Sequence, residues 1–104
     1  MSRNEVSVHP TSTVHPQAQL EPGVIVGPQC FIGDKVAIRK NTRLSSNIYL
    51  DGRVEIGESC QFSPYSVVGT EPQDVGYSQE DTAVKIGDRN IFREFLTIHR
   101  GTEK

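Results

Sequence analysis

An apolar residue recurs at every sixth position over most of this chain. We call these positions anchors; they are Val8, Val14, Leu20, Val26, Ile32, Ile38, Leu44, Leu50, Ile56, Phe62 and Val68, followed by Ile86, Phe92 and Ile98. A period of six excludes an amphipathic helix, because a helical apolar stripe needs spacings of three and four residues. It also disfavours an antiparallel sandwich, whose strands need hairpin turns roughly every 8–12 residues. The spacing therefore predicts a β-solenoid.

The other positions of each six-residue unit are also patterned. Glycine recurs directly after several anchors, at Gly27, Gly33, Gly57, Gly69 and Gly87. The fourth residue after most anchors is small, as in Ser12, Ala18, Val24, Cys30, Val36, Thr42, Val54, Cys60 and Ser66. We expect a short strand and a turn in each unit, with the anchor pointing inward and the small residue filling a crowded corner. Glycine after the anchor is expected to supply an unusual backbone conformation.

This pattern resembles that of the hexapeptide-repeat proteins, in which three units form one coil of a triangular prism. The resemblance implies left-handed winding, which the spacing alone cannot show. The predicted fold class is all-β: a left-handed parallel β-helix of about five coils with one excursion loop. We expect residues 1–104 to form a single β-helix domain.

Composition and charge narrow the function. The net charge is −2, with 11 basic and 13 acidic residues interspersed, so we expect no nucleic-acid partner. The group Arg39, Lys40 and Arg43 is interpreted as a solvated corner. No apolar run approaches the length of about 20 residues that spans a bilayer, so we expect no membrane insertion. The first residues carry no apolar run either, which predicts a cytoplasmic location.

The two cysteines occupy the same position of the repeat, five units apart. Because five is not a multiple of three, Cys30 and Cys60 should lie at different corners of the prism. We therefore expect no disulfide between them and interpret both as small core residues.

A polar, acidic segment without anchors runs from Thr70 to Ala83. The wall of a solenoid excludes such a segment, so we predict an excursion loop over residues 70–83. The segment is interpreted either as a tolerated surface insertion or as a flap that helps to enclose a ligand.

A more specific resemblance lies in this segment and the residues after it. The matching elements are Pro72-Gln73-Asp74, Tyr77, Val84-Lys85-Ile86-Gly87-Asp88-Arg89-Asn90, Arg93-Glu94 and Thr97-Ile98-His99-Arg100-Gly101-Thr102, together with the opening Val8-His9-Pro10-Thr11. They are similar to the acyl-carrier-protein-dependent UDP-N-acetylglucosamine O-acyltransferases, the first enzymes of lipid A synthesis. The resemblance covers essentially the whole chain and matches the N-terminal part of that family.

The resemblance implies a homotrimer with active sites between adjacent prisms. Such an enzyme transfers a 3-hydroxyacyl group from acyl carrier protein to the 3-hydroxyl of UDP-N-acetylglucosamine, with a histidine as general base. At the matching positions, Gln73 and Asp74 are expected to hydrogen-bond the sugar, and Tyr77 and His99 to line the substrate site. Carboxylates suit sugar ligands because they accept strong hydrogen bonds from hydroxyl groups. No cofactor and no metal is implied.

Two departures from the family pattern qualify this expectation. Gly76 stands where many relatives carry a lysine, so a cation near the nucleotide phosphates is missing. The family's general-base histidine lies about a turn and a half beyond the element around His99, and the present sequence ends at Lys104. We therefore expect no catalytic residue within this chain, which we interpret as an N-terminal fragment that is inactive alone.

Other interpretations remain open. His9 and His15 precede prolines and are expected at wall corners in structural or surface roles, while His99 is a weak alternative base. A zinc carbonic anhydrase on the same solenoid would need three converging histidines, which this spacing does not provide. A non-catalytic trimeric scaffold is the non-enzymatic alternative, and the later N-acyltransferase of lipid A synthesis is the nearest enzymatic one.

Overall fold

The computed structural model describes residues 5–70, 84–93 and 97–99, and every regular element in these ranges is a β-strand. The strands are short, between two and five residues, because the chain turns a corner in each six-residue unit. They wind into a left-handed parallel β-helix with three flat faces, as predicted.

Each face is one parallel sheet. The first face contains β1 (Ser7–Val8), β4 (Ile25–Val26), β7 (Arg43–Leu44), β10 (Gln61–Phe62) and β13 (Ile91–Phe92). The second face contains β2 (Thr13–Val14), β5 (Phe31–Ile32), β8 (Ile48–Leu50), β11 (Ser66–Thr70) and β14 (Thr97–His99). The third face contains β3 (Gln19–Leu20), β6 (Val36–Ile38), β9 (Val54–Ile56) and β12 (Val84–Ile86).

The pairing confirms that three six-residue units make one coil. Val8 pairs with Val26, and Val26 pairs with Leu44, so successive neighbours are 18 positions apart. At three strands per coil, the 14 described strands amount to between four and five coils, close to the predicted number. Because equivalent positions stack, the anchors of one face form a single column. The three columns of anchors point inward and together form the apolar core.

The anchors form the core as predicted in the middle coils. All anchors from Val26 to Val68 are buried, each with no more than 2% of the residue exposed. The anchors of the first coil are less covered, and Val8, in the edge strand of the first face as the structure describes it, is 39% exposed. Phe62 and Phe92 stack inside the prism with ring centroids 4.6 Å apart, which carries the core across the excursion.

The fourth position after the anchor fills the inner corners, also as predicted. Val24, Cys30, Thr42, Cys60 and Ser66 are all buried. The buried hydroxyl of Thr42 donates to the carbonyl of Gly57 at 2.7 Å and accepts the N–H of Cys60 at 3.1 Å. This hydroxyl replaces water for two backbone groups at the corner. Ile48 occupies the same position and is 1% exposed, although it is larger than the residue expected there.

The explanation given for the glycines after the anchors was wrong in most cases. Gly27, Gly33, Gly57 and Gly87 do not have a positive φ. At Gly27 and Gly57 the reason is space, because an added Cβ would overlap the backbone of Ser45 and of Gly87 respectively.

The left-handed conformation occurs two residues later in the unit. Non-glycine residues with positive φ are Gln29, Asn41, Asn47, Ser59, Tyr65 and Arg89, each the third residue after an anchor. The corner of the prism is therefore formed at that third position, where asparagine is among the better-tolerated residue types.

The excursion begins one residue later than predicted. Thr70 belongs to β11, because a bulge extends the pairing of that strand with β14. Ile56 pairs with Ile86, thirty positions away instead of eighteen, so the chain inserts twelve residues between the second and third faces. Of the predicted loop, residues 71–83 lie outside the described residues.

Candidate substrate site at the break in the wall

The chain leaves the wall from an irregular strand. In β11, Val68 pairs with Ile98 and Thr70 pairs with His99, so the register between the two strands shifts by one residue at Gly69. Gly69 has φ +88°, the left-handed conformation that residues with a side chain rarely adopt. The last described residue before the excursion is therefore held beside the strand that contains His99.

The chain returns to the wall through several backbone hydrogen bonds. The N–H of Val84 donates to the carbonyl of Arg53 at 2.9 Å, and β12 then pairs with β9. In the β-turn that follows β12, the Asp88 carboxylate accepts the N–H of Glu58 at 2.8 Å. The N–H of Arg89 donates to the carbonyl of Glu58 at 2.7 Å. The return end of the excursion is thus fixed to the preceding coil, and its start is fixed to β14 through Thr70.

His9 and His15 have turn-forming roles. The Nδ1 atom of each accepts a backbone N–H two residues later, from Thr11 and from Gln17, at 3.1 Å in both cases. An Nδ1 that accepts a hydrogen bond leaves the proton of the neutral ring on Nε2. Both residues are exposed and follow anchors of different faces, in agreement with the predicted corner positions.

The described residues offer no other reactive centre. Among them, no three His, Cys, Asp or Glu side chains are grouped so that they could hold a metal ion. Cys30 and Cys60 are free and buried, as predicted. Burial raises the pKa of the Cys30 thiol, which disfavours the nucleophilic thiolate. The Cys60 thiol lies 3.1 Å from the carbonyl of Gly87, inside the corner.

The outer surfaces of the faces differ in polarity. On the second face, Phe31 and Tyr49 stack side by side with ring centroids 4.9 Å apart.

The predicted solvated corner is confirmed, since Arg39, Lys40 and Arg43 are all exposed. The Arg39 guanidinium lies 3.3 Å from the Glu55 carboxylate. No helix in the described part of the chain could cross a membrane.

Comparison with known proteins agrees with this architecture. No family model matches the chain. An acyl-[acyl-carrier-protein]–UDP-N-acetylglucosamine O-acyltransferase of Thermodesulfovibrio yellowstonii is 43% identical over 67 residues, which are 64% of this chain and 26% of the relative. The crystal structure of a UDP-N-acetylglucosamine acyltransferase matches 93% of this chain and 38% of its own, with a TM-score of 0.88 at 36% identity. The enzyme of that name from Francisella novicida matches 91% of this chain and 35% of its own, with a TM-score of 0.85 at 38% identity.

The chain resembles part of the UDP-N-acetylglucosamine acyltransferases. Both its sequence and its fold support this statement, and the predicted resemblance is confirmed. The chain spans about a quarter of the length of the curated relative and a little over a third of the solved acyltransferases.

Most of the substrate contacts predicted from the acyltransferase resemblance cannot be located. Gln73, Asp74 and Tyr77, like Gly76, lie outside the described residues. His99 lies in β14, where its backbone pairs with Thr70. The structure therefore places the strand that contains His99 next to Thr70, where the segment with Gln73, Asp74 and Tyr77 begins. The bulge at Gly69 was not predicted, because in sequence this residue looks like the other glycines that follow anchors.

Proposed function

We propose that this chain forms part of an acyltransferase that moves a 3-hydroxyacyl group from acyl carrier protein to the 3-hydroxyl of UDP-N-acetylglucosamine, the first step of lipid A synthesis. The supporting observation is the break in an otherwise regular wall. The excursion leaves from Thr70, beside the strand that contains His99, and returns at Val84. A solenoid does not need this segment for its core, and loops fixed at both ends of a rigid scaffold are common positions for binding residues.

In this proposal, the sugar nucleotide binds between the excursion and the second face. Gln73 and Asp74 hydrogen-bond the glucosamine, while Tyr77 and His99 line the site. Four residues of chain reach at most about 14 Å, so the covalent connection from Thr70 allows Asp74 to approach His99. A carboxylate accepts stronger hydrogen bonds from sugar hydroxyls than a neutral acceptor does, which makes Asp74 the most important contact.

The proposed chemistry is direct transfer without a covalent acyl-enzyme. A histidine accepts the proton of the 3-hydroxyl, whose oxygen attacks the thioester carbonyl, and the thiol of the carrier leaves. Backbone N–H groups stabilise the developing oxyanion. His9 and His15 do not suit the role of base, because the Nδ1 of each already accepts a turn N–H on the exposed surface. The resemblance places the base beyond the element around His99, in the part of the relatives that this chain does not match, and His99 is the weaker alternative.

The same proposal includes the remaining partners. The acyl carrier protein is the donor, the assembly is a homotrimer with sites between adjacent prisms, and the location is cytoplasmic. No cofactor takes part, since acyl transfer from a thioester to a hydroxyl needs neither a redox group nor a metal.

The test is an acyl-transfer assay on the full-length gene product with 3-hydroxyacyl–acyl carrier protein and UDP-N-acetylglucosamine. We expect a product whose acyl group is released by mild base, because the new bond is an ester. An amide would survive this treatment and would favour the later N-acyltransferase. The 104-residue chain alone should show no turnover. Turnover by that chain would contradict the proposed division of the site.

Variants separate the predicted contacts from the scaffold. Asp74→Ala should raise KM for the sugar nucleotide about tenfold or more, because a charge-assisted hydrogen bond contributes roughly 1.5–3 kcal/mol. Glu58→Ala is the matched control: this exposed carboxylate lies at the corner between the third and first faces, and its loss should leave KM unchanged. A non-catalytic scaffold would show neither transfer nor saturable binding of UDP-N-acetylglucosamine by calorimetry.

A further inference from the structure

The three faces of the prism differ in the side chains that they present to solvent. In each strand the residue before the anchor lies on the outer surface. On the third face these residues include the charged Glu55 and Lys85, and the Glu55 carboxylate accepts a hydrogen bond from the Arg39 guanidinium at 3.3 Å. On the second face the outer residues with a described environment are uncharged: Thr13, Phe31, Tyr49 and Val67. The third face therefore suits water, whereas the second presents an aromatic column in which Tyr49 is 40% exposed.

The first face presents apolar side chains around one cation. Its outer residues are Ser7, Ile25, Arg43, Gln61 and Ile91. Ile25 is 41% exposed and Ile91 is 65% exposed. A shallow groove of about 570 Å³ runs along this face, lined in part by Ile25, Arg43, Gln61 and Ile91. The described residues place no carboxylate within ion-pair distance of Arg43, so its guanidinium is available to a partner.

The first and second faces are complementary when coils of equal height are compared. In the second coil, β4–β6, Ile25 lies on the first face and Phe31 on the second. In the third coil, β7–β9, the corresponding residues are Arg43 and Tyr49. Copies arranged in a ring around an axis parallel to the prism keep every coil at the same height. If the first face of one copy meets the second face of the next, isoleucine packs on phenylalanine, and arginine lies on the ring of tyrosine in a favourable cation–π contact.

The corner between these two faces carries an unusual tyrosine. Tyr65 has φ +67° and is 54% exposed, although a left-handed backbone is rare for a bulky residue. One coil earlier, the same corner position holds Asn47, a residue type that tolerates its φ of +54° better. In a ring that joins first face to second face, this corner points toward the axis. The Tyr65 side chains of three copies would then converge and cover one another, which accounts for a tyrosine at a position that disfavours it.

We propose that the first and second faces are the interfaces of the homotrimer, joined first face to second face around an axis beside the corner that holds Tyr65. This inference rests on the homotrimer of the proposed function and names the surfaces that form it. In the fifth coil, it places β13 of one copy, with Ile91, opposite β14 of the next, with His99. The substrate site is therefore incomplete without the neighbouring copy.

A charge exchange in the full-length gene product tests the arrangement by analytical ultracentrifugation. Arg43→Glu places a carboxylate against the electron-rich ring of Tyr49, so the trimer should dissociate at a concentration about tenfold or more above that of the wild type. The double variant Arg43→Glu/Tyr49→Arg should restore the trimer, because opposite charges face each other again. The two residues lie on different faces of one chain, so this recovery reports a contact between copies.

Two further variants separate the interface from general effects of charge and stability. Lys85→Glu is the matched control, because this exposed residue also precedes an anchor but lies on the third face, and its reversal should leave the trimer unchanged. Tyr65→Asn copies the residue found one coil earlier at the same corner. It should retain the fold, measured by circular dichroism, and weaken the trimer.

The outcomes distinguish this inference from the proposed function. A monomeric wild type would overturn the inference, and so would a folded Arg43→Glu or Tyr65→Asn variant that associates like the wild type. A double variant that remains as weak as Arg43→Glu would also contradict it. In each case the acyl-transfer assay on the wild type still decides the proposed function. A trimer that depends on Arg43 but transfers no acyl group would instead remove the proposed function and leave the interface standing.

Discussion

The steric role of the glycines after anchors can be tested by comparing Gly27→Ala with Gly33→Ala. Both residues directly follow an anchor, and neither has a positive φ. A Cβ at Gly27 would lie 2.6 Å from the carbonyl carbon of Ser45 and 2.9 Å from the carbonyl oxygen of Leu44. A Cβ at Gly33 would instead meet the side-chain oxygen of Asp51, at 2.8 Å, at the end of a side chain that can rotate away. The two substitutions thus share the same change in the unfolded chain and differ in the space available.

The expected magnitudes follow from this difference. Ser45 is held by its own N–H, which donates to Phe62 at 3.1 Å, so relief of the overlap must disturb the next coil. Overpacking of this kind costs about 1–3 kcal/mol or more. Gly33→Ala should instead change the stability by less than about 1 kcal/mol, because the Asp51 carboxylate can rotate away and alanine restricts the unfolded chain.

Urea unfolding of both variants, followed by far-ultraviolet circular dichroism, measures these changes as shifts in the midpoint at constant slope. Equal destabilisation at both positions would refute the steric explanation and restore the conformational one. No effect at Gly27 would show that the coils can separate without cost.

The remaining predictions concern the core. Ile56→Asp should abolish cooperative unfolding, since an unpaired buried charge costs several kcal/mol at a position that is 0% exposed, whereas Ile56→Val should cost only about 0.5–1.5 kcal/mol. Thr42→Val should destabilise the fold by about 1–3 kcal/mol, because the Gly57 carbonyl and the Cys60 N–H both lose a buried partner. Urea unfolding measures this change, and Thr42→Ser, which keeps the hydroxyl, should retain most of the stability. Because burial raises the pKa of Cys30, the folded chain keeps the thiol proton at pH values where the unfolded chain has already released it. The stability that comes from this proton is therefore complete below the unfolded pKa and is lost as pH rises through the folded pKa. Cys30→Ala should reduce the alkaline loss of stability in urea titrations at increasing pH, and parallel pH profiles would contradict this expectation.

The core was predictable because it depends on a repeat that is visible in one dimension. Each anchor must be apolar to be buried, so the series identifies the inward residues without knowledge of their neighbours. The corners were harder to predict. The space at Gly27 is limited by Ser45, eighteen positions further along the chain, and no local pattern reports a contact at that distance. Positive φ at Gln29 and Tyr65 was equally hidden, since neither residue type signals a turn.

The candidate site was predictable only through resemblance. Gln73 and Asp74 have no repeat to place them, and the chemistry expected of them comes from matching motifs. The bulge at Gly69 was not recognisable, because glycine follows other anchors for a different reason, close approach of the next coil. A single residue type thus serves two physical purposes at one position of the repeat, and only the geometry separates them.

The return of the anchors after the excursion has a simple geometric origin. After the break, β12 is placed by its hydrogen bonds to β9, and those bonds depend on neither the length nor the sequence of the insertion. The insertion happens to be twelve residues long, two complete units, so the count of six continues across it and reaches Ile86 and Ile98 in phase. An insertion of eleven or thirteen residues could build the same wall, yet every later anchor would fall out of the series. His99 could be assigned to the second face from sequence only because of this length, whereas its pairing with Thr70 depends on the bulge, which a count of residues cannot show.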